Sequence, residues 1–233
     1  MTKFLKKIVL LLILLTSLQI IVFSQNDYRR MHLWEKEINA FLELDKKDFP
    51  KKNGVLFVGS SSIRGWRTLG DDFPDLCTIN RGFGGSHLED VNFYAEQIVL
   101  PYKPKLIILY AGENDLASGK SIEQVFNDIK RFVSIVHQKL SKTRLIFVSL
   151  KPSPSRWELT PKFKELNGLI KTETEKDKRL LFVDVWSPML DADGQPKKDI
   201  FLGDKLHMNA KGYKIWHEML LPKIQSGLKG SFR

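Results

Sequence analysis

The feature that most constrains this chain is a regular alternation of short apolar runs with stretches of helical period. Residues 54–59 (GVLFVG), 76–80 (LCTIN), 105–110 (KLIILY), 144–150 (RLIFVSL) and 180–185 (LLFVDV) read as five strands. Several are apolar at successive positions, which is the pattern of strands covered on both faces. Between them, Trp34, Ile38, Phe41 and Leu42 form a helical stripe, and Leu88, Val91, Ala95 and Ile98 form another. A third runs through Ile122, Val125, Ile129, Phe132, Val133 and Val136, with Ser121 placed as its N-cap. Residues 159–178 carry a weaker helical pattern and residues 209–224 a closing one. Strands alternating with helices predict a parallel sheet between two helix layers, and right-handed crossovers narrow the topology. The expectation is a three-layer α/β/α sandwich, a flavodoxin-like doubly wound parallel five-stranded sheet of order 2-1-3-4-5.

The 233 residues suffice for one such domain, predicted over residues 25–233. Residues 1–24 stand apart. Lys3, Lys6 and Lys7 precede an apolar run from Ile8 to Phe23, broken only by Thr16, Ser17 and Gln19. A basic start followed by a run too short for a membrane span predicts a signal peptide, hence an exported, periplasmic or extracellular protein. Contact with a membrane is then expected only through an uncleaved leader. Removing the leader takes three of the 37 basic residues and none of the 27 acidic ones, so the net charge of +10 falls. The remaining lysines are scattered along helices, which describes a solvated surface and no nucleic-acid partner. Cys77 is the sole cysteine, so no internal disulfide forms, and its apolar setting predicts a buried, inert thiol.

An open parallel sheet binds ligands beyond the carboxyl ends of its strands, near the switch in strand order. The loops expected there carry the least ordinary residues of the chain. After strand 1 come Gly59, Ser60, Ser61, Ser62, Ile63, Arg64, Gly65 and Trp66. A serine at such a turn has an exposed hydroxyl and a backbone N–H able to meet negative charge, although alone the loop reads more readily as a helix cap. After strand 2 come Asn80, Arg81, Gly82, Phe83, Gly84, Gly85, Ser86 and His87, whose glycines suit either an oxyanion hole or a plain tight turn. After strand 3, residues 111–115 (AGEND) place Asn114 either as an uncharged oxyanion donor or as a turn residue. Near the end, Asp204 and His207 stand three apart before the last helix, with Asn209 placed to cap it. A serine nucleophile needs a base, and the base needs an acceptor that fixes its tautomer.

These four segments, in this order, resemble the SGNH hydrolases, the GDSL esterase/lipase superfamily, over about residues 54–224. The resemblance implies Ser61 as nucleophile, Gly85 as backbone oxyanion donor alongside the Ser61 N–H, and Asn114 as side-chain oxyanion donor. Asp204 and His207 take the other two triad positions. Where the family often has Gly-Asp-Ser, this chain has Gly59, Ser60 and Ser61, so the register is open by one residue and Ser62 is the alternative nucleophile. The implied activity is hydrolysis of carboxylic esters through an acyl-enzyme, on acetyl or other short acyl groups of carbohydrates, or else on lysophospholipids.

Arg64, Arg81, His87 and Trp157 are weaker candidates for contact with a small-molecule or glycan ester substrate, and Trp66 is expected in the core. His32, His137 and His217 read as surface or packing residues. No cofactor is expected, and no cluster has metal-ligand spacing. Two other classes compete: a phosphate- or flavin-binding carrier using the serine loop, which leaves the Asp204–His207 pair idle, and a non-catalytic glycan-binding protein on the same fold.

Overall fold

A computed structural model describes residues 32–229; the leader predicted at residues 1–24 lies outside them. The chain divides into a unit ending at Glu37 and one running from Ile38 onward. The described part of the first is a turn at residues 32–34 and the opening of helix α1 (Glu35–Lys47). The architecture below is that of the second.

Strand β1 (Val55–Gly59) leads into the short helices α2 (Ser61–Arg64) and α3 (Leu69–Asp72). Then follow β2 (Thr78–Gly82), α4 (Leu88–Ile98), β3 (Leu106–Tyr110), α5 (Glu113–Ala117) and α6 (Ile122–Lys139). After β4 (Arg144–Val148) a 3-10 segment (Pro154–Leu159) runs into α7 (Thr160–Thr174). Strand β5 (Leu180–Val183) and α8 (Ala210–Lys229) complete the series. All five strands pair in parallel, in the order β2-β1-β3-β4-β5, which is the doubly wound sandwich expected from the apolar runs.

Local chemistry explains the element ends. The Ser121 hydroxyl accepts from the Gln124 N–H at 3.1 Å while the Gln124 side chain accepts from the Ser121 N–H at 2.9 Å, a reciprocal cap that starts α6. The Asn209 side chain accepts from the Lys211 N–H at 2.9 Å and so opens α8 as expected. Along β3, Leu106 and Tyr110 alternate onto the α8 face, where Leu106 meets Gly227 and the Tyr110 ring lies 4.7 Å from Trp216. Trp66 is buried on that side among Phe57, Phe73 and Trp216. Helix α6 packs against α4 on one side and α7 on the other in the opposite layer.

Two expectations fail at the sheet edge. Strand β2 begins at Thr78, two residues later than the apolar run suggests, because pairing with β1 starts at Thr78 opposite Val55. Cys77 therefore precedes the strand and its thiol is exposed, not buried; its carbonyl alone joins β1, accepting from the Val55 N–H at 2.9 Å. The helical stretch expected from residue 159 to 178 is also shorter, closing at Thr174.

The register brings three strand ends to one rim: Gly59 stands beside Gly82 on one side and Tyr110 on the other. A Cβ on Gly59 would fall 1.9 Å from the Tyr110 carbonyl oxygen, and its φ is +139°. Only glycine lets the chain turn out of β1 this tightly, and that turn delivers the serines to the rim.

Candidate active site

Ser61 opens α2 at the end of β1. The Asp204 segment arrives from the far end of the sequence and is folded by its own carboxylate. Asp204 Oδ1 accepts from the backbone N–H groups of Leu206 and His207, each at 2.9 Å, with Lys205 in the left-handed region at φ +57°. This turn carries the His207 ring back over Asp204, so that Nδ1 stands 2.6 Å from Oδ2. On the other side of the ring, Nε2 lies 2.9 Å from Ser61 Oγ. A carboxylate can only accept, so it holds the ring proton on Nδ1 and leaves Nε2 an acceptor facing the hydroxyl. The hydrogen bond from His207 holds the Asp204 carboxyl down at about 2, aided by the two backbone N–H groups. Three residues expected to converge thus do so. Ser62, by contrast, is buried, and its carbonyl accepts from the Tyr213 hydroxyl at 3.0 Å, so the hydroxyl that reaches His207 belongs to Ser61.

The glycine turn after β2 places Gly85 in the open with φ +76°, a conformation its lack of a side chain permits. Asn114 stands in the first turn of α5, with Nδ2 donating to the Ser86 carbonyl at 3.0 Å. This bond ties the two loops that the sequence marks for an oxyanion hole.

The weaker candidates separate. Arg81 does not join the site. It is buried, Nε donates to the Tyr102 hydroxyl at 2.7 Å, and the guanidinium pairs with Asp45 of α1. The reason is strand alternation: Asn80 and Gly82 turn one way, toward α2, and Arg81 turns the other. His87 is buried at the start of α4, with Nδ1 3.9 Å from the Asp115 carboxylate. Arg64 is exposed at the end of α2, its guanidinium close to Gly84. Trp157 stacks on Trp186, ring centroids 6.0 Å apart, in the segment after β4. His217 stacks on Phe73, and His137 meets the Thr143 carbonyl, both packing roles. Among the described residues, no group of three or more His, Cys, Asp or Glu could hold a metal ion.

In the loop after β4 sequence reasoning singled out only Trp157 and passed over Lys151 and Arg156, yet this loop reaches the site. Lys151 is fully buried, and its ammonium lies 2.8 and 3.1 Å from the two oxygens of Glu113. Glu113 also accepts from the Tyr110 hydroxyl at 2.6 Å and lies 3.5 Å from Arg156. Burial alone would raise the Glu113 carboxyl, but Lys151 and Arg156 outweigh it and hold it below the usual range. Burial lowers the Lys151 ammonium. Arg156 Nη2 donates to Asn114 Oδ1 at 2.9 Å, and the neighbouring Ser155 N–H donates to the Lys205 carbonyl at 3.2 Å. One signal was legible: in a 2-1-3-4-5 sheet strands 3 and 4 are neighbours, and each is followed within three residues by a charge, Glu113 and Lys151, of opposite sign.

Comparison with known proteins agrees with this fold. Among solved structures, a GDSL-like lipase from Bacteroides thetaiotaomicron superposes with a TM-score of 0.67 at 23% identity, covering 84% of this chain and 97% of that one. A catalytic mutant of an acetylxylan esterase from Geobacillus stearothermophilus gives a TM-score of 0.59 at 14% identity, covering 75% and 95%. A carbohydrate esterase family 3 protein from Talaromyces cellulolyticus gives 0.61 at 14%, covering 76% and 98%. At such identities the likeness is one of fold. No curated protein sequence matches the chain significantly. The sequence profile of the GDSL-like Lipase/Acylhydrolase family matches residues 54–215, the span that holds every strand of the sheet and both ends of the Ser61–His207 contact, and the chain belongs to that family.

Proposed function

We propose that this protein is an exported carboxylic ester hydrolase that removes acetyl or other short acyl groups from carbohydrates through an acyl-enzyme on Ser61. His207 Nε2 takes the Ser61 proton as Oγ attacks the ester carbonyl, and the carbonyl electron pair moves onto oxygen. The N–H groups of Ser61 and Gly85 and the Asn114 amide hold that oxyanion. Its collapse breaks the C–O bond, and the proton on His207 goes to the departing alcohol. Water, deprotonated by the same nitrogen, then attacks the acyl-enzyme and releases the acid and free Ser61. Asp204 keeps the ring oriented and stabilises the imidazolium.

The observation that carries this reading is the unbroken run of contacts from Ser61 Oγ through the His207 ring to Asp204, at 2.9 and 2.6 Å. The carbohydrate preference rests on exposure: the His207 and Asp204 side chains are 36% and 48% accessible, which leaves room for a bulky, hydrated alcohol. Two of the structural relatives are esterases of that kind by name. Export rests on the basic and apolar pattern of residues 1–24.

The test is turnover of p-nitrophenyl acetate, followed by a panel of acetylated xylan, simple sugar acetates and lysophospholipids. Acetate release from the carbohydrates at the highest kcat/KM is expected. Faster turnover of lysophospholipid overturns the substrate class, and flavin absorbance without turnover overturns the enzyme. N-terminal sequencing of the protein recovered outside the inner membrane is expected to begin after the leader.

A further inference from the structure

We infer that Arg156 is a positioning residue that locks the Asn114 amide with its N–H end toward the reacting carbonyl. The inference rests on the reading of Asn114 as an oxyanion donor and explains how that donor is held. The two ends of an asparagine amide are nearly equal in shape and opposite in hydrogen-bonding sense, so a pocket that needs the donor must exclude the flipped form. Here both ends are specified. The guanidinium of Arg156 has only donors, so the Asn114 atom 2.9 Å from Nη2 is the carbonyl oxygen. The Ser86 carbonyl only accepts, so the atom 3.0 Å away is the amide nitrogen. A flipped amide would set donor against donor and acceptor against acceptor. Of the two N–H bonds on Nδ2, one is used by Ser86, and the other remains for an oxyanion beside the exposed Gly85 turn.

Arg156 is itself held. Its Nη1 lies 3.5 Å from Glu113, whose carboxylate is 4% exposed and fixed from behind by Lys151 and Tyr110. Glu113 precedes Asn114 in the chain, so one buried carboxylate anchors both the backbone that carries the amide and the guanidinium that orients it. The arginine, at 19% side-chain exposure, stands at the edge of this cluster. Its loop is tied through Ser155 to Lys205, between Asp204 and His207.

The experiment is a double-variant cycle on p-nitrophenyl acetate with Arg156→Met, Asn114→Ala and the pair. Asn114→Ala should lower kcat by about 10²–10³. Arg156→Met should lower kcat by about 10–10² with KM little changed, as misplacement of a donor does. The pair should be no slower than Asn114→Ala alone, because a positioning residue has nothing left to position. Multiplied losses overturn the inference, as does a raised KM at constant kcat, which would mark direct substrate binding. If Asn114→Ala loses activity while Arg156→Met does not, this inference fails and the ester-hydrolase reading stands. If Asn114→Ala is silent, the oxyanion assignment falls and takes the inference with it. Should Arg156→Met not fold, Arg156→Lys puts the same question: a point charge cannot bridge Glu113 and Asn114 together, so kcat falls severalfold, and an unchanged kcat overturns the inference.

Discussion

Two charged groupings flank the same rim and are built on opposite physical terms. The Ser61–His207–Asp204 run is open to water, with Asp204 half exposed. The Lys151–Glu113 pair is almost wholly sealed, at 1% and 4% exposure. In water an ion pair contributes little to stability, so the first grouping keeps its shape by backbone bonds: two N–H groups fold Asp204 onto His207. In the sealed grouping every charge must be met, because an unpaired one is costly to bury. One carboxylate is therefore shared by two cations and a hydroxyl. Substitutions in the open group should abolish rate and spare stability, whereas substitutions in the sealed group should cost stability first.

The largest effect that could break this contrast is at Ser61. Ser61→Ala should lower kcat on the order of 10⁶-fold with an unchanged melting temperature, while Ser62→Ala keeps most of its activity. The reverse pattern would shift the nucleophile by one residue. Next, Asp204→Asn should reduce kcat by roughly 10⁴, again without unfolding. In the wild type the Asp204 carboxyl is held at about 2 against an ordinary 3.8, so it stays ionised as pH falls through 3.8 and protonates only near 2. Protonation of Asp204 should accordingly add no second proton to the acid limb of kcat/KM above pH 3.8, and a slope of two there would refute the assignment.

On the sealed side, Lys151→Met leaves Glu113 short of its nearest cation and should destabilise the fold by about 3–5 kcal/mol, read as a lowered urea midpoint. An unchanged midpoint would mean that Arg156 alone neutralises the carboxylate, and the contrast would collapse. Smallest of all is Cys77→Ser. The exposed thiol lies ahead of β2, and its loss should move stability by less than about 0.5 kcal/mol. A larger drop would place the side chain in the core after all.

The amino-acid sequence by itself determined the elements, their parallel order and the Asp204–His207 turn. All of these are local: continuous apolar runs, a period of 3.6, a serine at a helix start, a carboxylate within one turn of its imidazole. It also identified the loops after strands 1, 2 and 3 as the chemical rim, since strand order fixes which ends are neighbours. Only the tertiary structure decided which serine faces His207, 146 residues away, and that Arg156 grips Asn114 across 42 residues. It likewise turned Arg81 into a buried partner of Asp45 and left Cys77 in water. Alternation along a strand says that neighbours point to opposite faces, but which face meets a ligand and which meets a helix depends on what packs there. That is settled by contacts between distant segments, and no pattern within one segment encodes them.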